Sequence, residues 1–326
     1  MAFTPLDDLR GARIWVAGHR GLVGSAIVRR LAEESVGELL SATSSELDLR
    51  DPRATEAFVE RHRPDVIFLA AARVGGIHAN RTAQADFLYD NLMIGANVLR
   101  AAQMFEVPAT VVLGSSCVYP RDTLQPIPET ALLTGPLEPT NEGYAIAKIA
   151  TLELGKMLRR QYGLRVVSLM PSNVYGPGDN FDPLHGHVMA SLIRKVATAA
   201  RDRDDSIEVW GTGSPRREFI FVDDLADAAV FALKHYDDDL HLNVGPGNDT
   251  SISDLAHLIA DVAGWSGRLE FNPDMPDGTP RKLLDVSRLT ALGWSATTDL
   301  RDGIARTLAW YRDSMDRAAP SIEPAE

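Results

Sequence analysis

The first half of the chain alternates short apolar runs with longer stretches of helical periodicity. Residues 13–17 (RIWVA) predict a strand, and residues 22–34 place apolar side chains near the spacing of one helical face. Residues 65–69 (DVIFL) are apolar without alternation, which is typical of a strand buried on both faces. This repeated order of strand and helix predicts an α/β fold with a Rossmann-type, doubly wound parallel sheet.

The same patterns predict further elements along the chain. Asp51 followed by Pro52 indicates a helix N-cap with proline at the first helical position. The other predicted strands are residues 39–40, 110–113, 166–170 and 242–244. The other predicted helices are residues 52–62, 84–105, 144–162, 187–200, 223–234 and 251–263.

The pattern loosens after about residue 170, where Gly- and Pro-rich segments separate shorter helices. We therefore interpret residues 1–170 as a Rossmann domain to which later segments of the chain return. Residues 171–316 are interpreted as mainly a smaller, loop-rich α/β domain for the substrate. The small, Pro-containing residues 317–326 are expected to form a flexible tail.

Composition narrows the classes of function. Of the 326 residues, 33 are Lys or Arg and 45 are Asp or Glu, which gives a net charge of −12 and argues against a general nucleic-acid binder. The longest apolar run is far shorter than the roughly 18 residues of a membrane span. Cys117 is the only cysteine, which excludes an intramolecular disulfide and thiolate-based zinc and favours a reducing compartment. We expect a cytoplasmic protein that acts on a small molecule, without a metal.

The first predicted strand runs directly into a G-x-x-G-x-x-G segment, residues 18–24. At such a junction Gly18 permits a tight turn, Gly21 lets a pyrophosphate approach the backbone, and Gly24 lets helix and strand pack closely. The helix that follows directs its N-terminus at the diphosphate. The segment therefore predicts dinucleotide binding; the structural alternative is a tight turn without a ligand.

The residues beside this segment favour NADP over NAD. Sites for NAD usually place a carboxylate after the second strand to bind the ribose 2′-hydroxyl. Here the first carboxylate after the predicted strand at residues 39–40 is Glu46. Arg20 lies inside the glycine segment, and a guanidinium group suits the geometry of a 2′-phosphate. The alternative is that Arg20 is a solvated loop residue.

Tyr144 and Lys148 lie four residues apart at the start of a predicted helix and therefore on one face. A nearby ammonium group favours the phenolate and lowers the tyrosine pKa from about 10, so that the tyrosine can exchange a proton with a carbonyl oxygen. Ser115 and Ser116 follow the fourth predicted strand, at the sheet edge where ligands bind. Spacing alone does not decide between the two serines.

These three features in this order resemble the extended short-chain dehydrogenase/reductase superfamily over almost the whole chain. Seven segments narrow the resemblance to the GDP-L-fucose synthase family: AGHRGLVGSA, AAARVGGIHAN, GSSCVYP, EPTNEGYAIAK, NVYGPGDNF, WGTGSPRREF and PDGTPRKLLDV. The resemblance implies an enzyme that epimerises C3 and C5 of GDP-4-keto-6-deoxy-D-mannose and then reduces the C4 ketone with NADPH to give GDP-L-fucose. It also implies a homodimer, formed through a helix pair such as residues 84–105 and 144–162.

The resemblance also implies roles for individual residues. Ser115, rather than Ser116, binds the C4 oxygen, and Tyr144 protonates it. Lys148 tunes Tyr144 and orients the cofactor ribose. Cys117 and His187 are implied as the base and the acid of epimerisation. The cofactor is implied to contact Gly18, Arg20, Gly21, Leu22, Val23, Gly24, Lys148, Pro171, Asn173, Val174 and His187. The substrate is implied to contact Lys195, Trp210, Arg217 and Asp277.

Simpler interpretations stand beside these roles. A lone cysteine is most often a small buried hydrophobe, and His185 lies only two residues from His187. The segment SATSSELD lacks the arginines that relatives often carry for the 2′-phosphate. Lys195 replaces an arginine of some relatives, which keeps the charge but loses bidentate geometry.

Two other functions remain open from the sequence. An NAD-dependent nucleotide-sugar 4-epimerase of the same superfamily would share the serine, tyrosine and lysine but would not need Cys117 and His187 as an acid/base pair. A nucleotide-sensing binding protein on an inactive scaffold belongs to a different class, and the intact Ser/Tyr/Lys set argues against it.

Overall fold

The computed structural model describes residues 8–183, 186–275 and 277–318. Its strands in chain order are β1 (Arg13–Ala17), β2 (Glu38–Leu40), β3 (Val66–Leu69), β4 (Ala109–Leu113), β5 (Arg165–Pro171), β6 (Asn173–Tyr175), β7 (Ser206–Trp210), β8 (Arg216–Arg217), β9 (Phe219–Phe221), β10 (Leu242–Val244), β11 (Thr250–Ser251), β12 (Arg268–Asn272) and β13 (Arg281–Lys282). Its helices are α1 (Leu22–Leu31), α2 (Pro52–His62), α3 (Ile77–Thr82), α4 (Gln84–Met104), α5 (Glu142–Tyr162), α6 (Val188–Asp202), α7 (Val222–His235), α8 (Ile252–Ala263), α9 (Ser287–Ala291) and α10 (Leu300–Ala318).

The centre of the fold is a six-stranded sheet in the order β10-β5-β4-β3-β1-β2, with every pairing parallel. Successive strand residues point to opposite faces of the sheet. Ile14 and Val16 pack with α1 and α7 on one face, whereas Trp15 and Ala17 pack with α2 and α4 on the other. Both faces are therefore buried, and the predicted doubly wound α/β fold is confirmed.

The strand order changes direction between β1 and β3, which are neighbours in the sheet. Strand β2 lies on one side of β1, whereas β3, β4 and β5 follow on the other side. A crevice forms at the carboxyl ends of the strands at such a switch point, and this is where open α/β sheets bind their ligands. Gly18, directly after β1, and Ala71, just beyond β3, meet at this crevice.

Two helices on one face of the sheet approach each other unusually closely. A Cβ atom on Gly95 of α4 would lie 2.2 Å from the Thr151 hydroxyl oxygen of α5. A Cβ atom on Gly143 would lie 2.5 Å from the Gln84 carbonyl oxygen. Only glycine fits at these two contacts, so α4 fixes the position of α5, the helix that carries Tyr144 and Lys148.

The helix over residues 52–62 forms as predicted. The Asp51 side chain accepts hydrogen bonds from the backbone nitrogens of Arg53 and Ala54 at 2.8 and 3.2 Å, and Pro52 occupies the first helical position. The helix predicted over residues 22–34 instead ends at Leu31, because the chain turns to reach β2.

Several elements after β5 were not predicted from the pattern. The strands β8, β11 and β13 form a small sheet, β7 pairs with β12, and β6 pairs with β9. These strands have two to five residues each. Such short strands have too few residues to show a period. The helix α10 was also missed; it contributes Ile304, Leu308 and Tyr311 to a second hydrophobic core.

Later segments return to the central sheet. Strand β10 pairs with β5, and α7 packs against α1 in the same hydrophobic core. The division at residue 170 stays an interpretation. The helix α10 runs to Ala318, so it continues into the segment predicted as a flexible tail, and residues 319–326 lie outside the described residues. Within the described ranges no helix combines the length and the apolar composition needed to cross a membrane.

Candidate active site

The glycine segment after β1 has the backbone geometry that the sequence predicted. Gly18 has a φ of +89°, and a Cβ atom there would lie 2.6 Å from the Ala71 nitrogen. A Cβ atom on Gly24 would lie 2.0 Å from the Gly18 carbonyl oxygen. Gly21 is exposed, and a Cβ atom there would meet nothing closer than 3.4 Å. Packing therefore requires Gly18 and Gly24, whereas the open surface at Gly21 leaves room for a ligand.

The surroundings of this segment fit a dinucleotide with a 2′-phosphate. The helix α1, which includes Leu22 and Val23 in its first turn, has no acidic residue there to compete with an anion at its N-terminus. The His19 Nδ1 atom is buried without a hydrogen-bond partner, and the exposed Arg20 forms no ion pair or side-chain hydrogen bond within the described part of the chain. The N-terminus of α1 and the adjacent Arg20 are thus two sources of positive charge in this segment.

Glu46 is an acidic group that interacts electrostatically with Arg20. Its carboxylate accepts hydrogen bonds from the Thr43 backbone nitrogen at 2.8 Å and from the Thr43 hydroxyl at 2.7 Å. These bonds lower the pKa of Glu46, with smaller contributions from the charges of Arg20 and His19. Glu46 is therefore ionised and held by Thr43, within electrostatic reach of Arg20.

The residues expected at the nicotinamide end follow β5. Pro171 is the buried last residue of that strand, and Asn173 and Val174 begin β6. The Asn173 side-chain nitrogen donates to the Glu218 carbonyl oxygen at 2.9 Å, which fixes the amide against β9. Val174 lies opposite Ile220 in the β6–β9 pair.

Ser115 and Cys117 lie in a short 3₁₀ turn directly after β4. The Ser115 hydroxyl accepts a hydrogen bond from the Cys117 backbone nitrogen at 3.4 Å. Ser115 is half-buried, whereas Ser116 is buried, so Ser115 is the serine with more access to a ligand. A Cβ atom on Gly114 would lie 2.2 Å from the Met170 methyl group, so this turn lies directly against β5.

Tyr144 and Lys148 lie on one face of α5, as predicted. The Lys148 ammonium lies 5.7 Å from the centre of the Tyr144 ring and donates to the Leu113 carbonyl oxygen at 2.9 Å. Burial lowers the pKa of Lys148 to about 8, partly offset by the charge of Cys117. The lysine is thus anchored at the end of β4.

The expected lowering of the Tyr144 pKa is wrong for this structure. Burial raises the pKa of Tyr144 above its ordinary value, and the charge of Cys117 adds to the increase. Desolvation of the phenolate is the largest contribution to this increase. Tyr144 is therefore a neutral phenol, which is the form that donates a proton.

Cys117 is buried, and burial raises the pKa of its thiol. Three groups act in the opposite direction: the charge of Lys282 has the largest effect, followed by the Ser115 hydrogen bond and the charge of Lys148. Lys282 is a residue that the sequence reasoning missed, although it lies inside the segment PDGTPRKLLDV. Its place beside Cys117 depends on strand pairing that the sequence pattern did not indicate.

His187 occupies the N-cap position of α6, without a side-chain capping bond. The residue is exposed, yet the surrounding protein desolvates the ring enough to lower the pKa of His187. No hydrogen bond among the described residues joins His187 to Cys117 or Tyr144. Its role as the acid stays a prediction, and His185 lies outside the described residues.

Lys195 and Trp210, two of the four residues expected to bind the sugar nucleotide, are in contact. The Lys195 ammonium lies 5.5 Å from the centre of the Trp210 ring and donates to the Glu208 carbonyl oxygen at 2.7 Å. Trp210 is 49% exposed, so its indole offers a free surface for a ring. The cation on one side of the indole and the open ring form a surface suited to a nucleotide.

Asp277 lies against the turn that follows Trp210. Its carboxylate accepts from the Thr212 nitrogen at 2.7 Å and from the Thr212 hydroxyl at 2.8 Å. The same carboxylate acts electrostatically on Arg217, whose pKa is lowered by burial. Asp277 therefore links the turn to the arginine, and the four expected residues come together at one place in the fold.

Comparisons with known proteins agree with this arrangement. The profile of the NAD dependent epimerase/dehydratase family matches residues 14–245. This chain belongs to that family. Within it, GDP-L-fucose synthase 1 of Arabidopsis thaliana is 50% identical over 302 residues, which are 93% of this chain and 94% of that protein. GDP-L-fucose synthase of Escherichia coli (strain K12) is 46% identical over 94% of this chain and 98% of that protein.

The fold is also similar to that of an enzyme whose structure was solved with its cofactor. The crystal structure of a GDP-L-fucose synthetase from Naegleria fowleri bound to NADP is 27% identical, with a TM-score of 0.88 and 97% coverage of both chains. The chain is therefore a member of the GDP-L-fucose synthase group, and the resemblance inferred from seven short segments is confirmed.

Proposed function

We propose that this protein converts GDP-4-keto-6-deoxy-D-mannose to GDP-L-fucose by epimerisation at C3 and C5 followed by NADPH-dependent reduction at C4. The observation that supports the proposal is that the thiol of Cys117 and the phenol of Tyr144 lie close enough to interact electrostatically. The Ser115–Cys117 turn and the Tyr144–Lys148 pair influence each other electrostatically and lie at the end of β4. A potential base therefore lies beside the proton donor of a reductase.

The epimerase half needs proton transfer on both faces of the sugar ring. A C4 ketone acidifies the hydrogens on C3 and C5, and a base removes a proton while an acid returns one to the opposite face. Cys117 is assigned as the base and His187 as the acid. The thiolate of Cys117 gains its proton from the substrate carbon, and His187 loses its proton to the same carbon from the other side.

The reductase half uses the neutral phenol of Tyr144. NADPH, when bound, supplies the hydride that reaches C4. Ser115 donates a hydrogen bond to the C4 oxygen and holds it beside Tyr144. Tyr144 then gives its proton to the oxygen as negative charge develops there, and the ammonium of Lys148 stabilises the resulting phenolate.

The remaining expected residues are assigned to binding. Arg20 and the glycine segment hold the phosphates of the cofactor, with Asn173 near its nicotinamide end. Arg217 binds the diphosphate of the sugar nucleotide, because a guanidinium group pairs well with phosphate oxygens. Lys195 and Trp210 bind the guanosine end. Asp277 accepts a hydrogen bond from a hydroxyl group of the sugar nucleotide.

We also propose a homodimer that forms through α4 and α5. Five large apolar side chains on these helices are exposed, among them Tyr89 at 60%, Ile146 at 42% and Met157 at 54%. Ile146 and Met157 are three helical turns apart on one face of α5. Burial of such a stripe against a second copy supports association. The cytoplasmic location stays a prediction.

The decisive experiment is the reaction of the purified protein with GDP-4-keto-6-deoxy-D-mannose and NADPH in deuterated water. GDP-L-fucose with deuterium at both C3 and C5, read by NMR and mass spectrometry, is the expected product. Reduction without exchange would make the protein a plain 4-reductase. Activity only on UDP-sugars with NAD would favour the 4-epimerase alternative.

The variant Cys117→Ser separates the two halves. We expect it to lose exchange at C3 and C5 while it binds NADPH with unchanged affinity, which fluorescence titration measures. Wild-type turnover by Cys117→Ser would remove the thiol from the mechanism.

A further inference from the structure

The register of β8 and β13 separates two pairs of basic side chains. Arg281 lies opposite Arg216, and Lys282 lies opposite Arg217. Arg216 and Arg281 both form ion pairs with Asp249, the former at 2.8 Å. Because neighbouring residues of a strand point to opposite sides, Lys282 and Arg217 lie on the side away from Asp249. On that side Arg217 interacts electrostatically with Asp277 of the candidate site.

The backbone around Lys282 is fixed from two directions. The Leu283 nitrogen donates to the Gln125 side chain at 2.7 Å, and the Ile127 nitrogen donates to the Leu283 carbonyl oxygen at 2.8 Å. Residues 125–127 follow the 3₁₀ turn that contains Cys117. These bonds attach β13 to the segment just beyond the cysteine, although the two are far apart in the sequence.

Glu218 holds β13 from the other side. Its backbone nitrogen donates to the Lys282 carbonyl oxygen at 3.3 Å, and its carboxylate accepts from the Leu284 nitrogen at 3.0 Å and the Gly247 nitrogen at 2.8 Å. The residue is completely buried. Lys282 is therefore held in place by the fold, and its position does not depend on a ligand.

The charges around Lys282 leave its ammonium group available. Within the described ranges no carboxylate lies at salt-bridge distance from it. Glu138 is the acidic group that acts on both Lys282 and Arg217, and it has Arg121 at 3.7 Å. Burial lowers the pKa of Lys282, and Cys117 is the group whose charge most favours the ammonium form.

We propose that Lys282 is a positioning residue for the epimerase half of the reaction, whose ammonium group stabilises the thiolate of Cys117. This assignment rests on the proposed function, in which Cys117 is the base. It gives the two lysines that act electrostatically on Cys117 separate tasks. Lys148, anchored to Leu113, serves Tyr144 and reduction, whereas Lys282 serves Cys117 and epimerisation. A thiolate needs such a cation because burial alone favours the neutral thiol.

The test uses the fact that the chain has a single cysteine. The ultraviolet absorbance of the thiolate, with the Cys117→Ser protein as the blank, reports the titration of Cys117 alone. The variants are Lys282→Met, which removes the charge, Lys282→Arg, which retains it, and Arg281→Gln as the matched control on the same strand. Thermal unfolding and NADPH titration establish that each variant is folded.

We expect the thiolate midpoint of Lys282→Met to move to higher pH and its deuterium exchange at C3 and C5 to fall about tenfold or more at neutral pH. Lys282→Arg should restore most of both properties, and Arg281→Gln should match the wild type. An unchanged midpoint in folded Lys282→Met would overturn the proposal, even if exchange is lost, because Lys282 would then act on the substrate.

A separate outcome concerns the proposed function. If Cys117→Ser exchanges deuterium at the wild-type rate, the cysteine is not the base, and the assignment of Lys282 to epimerisation is overturned with it. The thiolate titration of the free protein still shows whether the two side chains interact. The two failures are therefore distinguishable.

Discussion

The phosphate-binding part of the cofactor end is one continuous segment, residues 13–24, whereas the sugar end is drawn from separate segments that meet through short strands. At the cofactor end, Gly18 and Gly24 meet within a single turn. At the sugar end, Arg217 reaches its place because β8 pairs with β11 and β13. The first arrangement depends on local backbone geometry and the second on pairing between distant residues.

This difference predicts different responses to substitution. A change at Gly18 or Gly24 meets backbone atoms that cannot move, so the fold itself is affected. A change at the sugar end removes one contact among several and leaves the scaffold in place. Glu218 connects the two regions. Its carboxylate accepts hydrogen bonds from the Gly247 nitrogen, just after β10 of the central sheet, and from the Leu284 nitrogen, just after β13.

The largest expected effect is at Tyr144, which joins the two ends. Removal of its hydroxyl in Tyr144→Phe should lower the rate of C4 reduction by about 10³-fold, because the acid that protonates the C4 oxygen is lost. Deuterium exchange at C3 and C5 should persist. Single-turnover reduction and exchange, measured on the same samples, test this separation.

The matched control is Tyr162→Phe, at the exposed end of the same helix. It should reduce substrate at the wild-type rate. Loss of exchange together with reduction in Tyr144→Phe would contradict separate roles for the two halves of the site.

The next largest effect is on the stability of the fold, which should depend on pH through Glu218. Burial raises the pKa of Glu218 to about 7 from 4.5. A raised acid pKa means that its stabilising contribution is complete below about pH 4.5 and is lost as the pH rises through about 7. That shift corresponds to roughly 3 kcal/mol of unfolding free energy. The free energy of unfolding of the wild type, measured in urea, should fall as the pH rises across this range. It should fall less steeply in Glu218→Gln.

A second buried carboxyl provides the comparison. Burial raises the pKa of Asp179 to about 7 as well, and one of its oxygens is buried without a partner. Asp179→Asn should remove a similar part of the fall in unfolding free energy with pH, and the double variant should lose both parts. Equal slopes in the wild type and both single variants would show that neither carboxyl titrates in this range.

The glycine segment offers a sharper contrast within itself. Gly24→Ala should lower the unfolding free energy by about 2 kcal/mol, because its Cβ would overlap the Gly18 carbonyl oxygen, a backbone atom that cannot yield. Gly21→Ala should be nearly neutral for stability but should weaken NADPH binding. Chemical unfolding and cofactor titration distinguish the two. Equal losses of stability would refute the division between a packing glycine and a ligand-facing one.

The smallest effect is expected at the sugar end. Arg217→Gln should raise KM for the sugar nucleotide roughly tenfold with little change in kcat, since a contact made equally to substrate and transition state is lost. Arg216→Gln is the control, because Arg216 faces Asp249 on the opposite side of β8. An unchanged KM in Arg217→Gln, with normal folding, would remove this arginine from the binding site.

Features that depend on neighbouring residues were predictable from the sequence. Asp51 and Pro52 define a helix start by themselves, and the strand–glycine–helix order defines the turn at Gly18. Tyr144 and Lys148 share a helix face because of their spacing. The seven segments that resembled a known family also identified where chemistry belongs, because their order along the chain is specific.

Features that depend on distant residues were not predictable in the same way. The two-residue strand β13 shows no period, so neither its pairing with β8 nor the place of Lys282 beside Cys117 was indicated. The pKa of Tyr144 was expected to fall because the sequence showed a nearby lysine but not the extent of burial. Burial and strand pairing are properties of the assembled fold.

The pairing of β10 with β5 also constrains how the protein is made. The sixth strand of the central sheet is residues 242–244, far downstream of the fifth. As synthesis proceeds from the N-terminus, β5 keeps an unpaired edge until this strand leaves the ribosome. A chain that stops after β5 would expose that edge to strands from other molecules. We therefore expect a fragment that ends near residue 171 to aggregate.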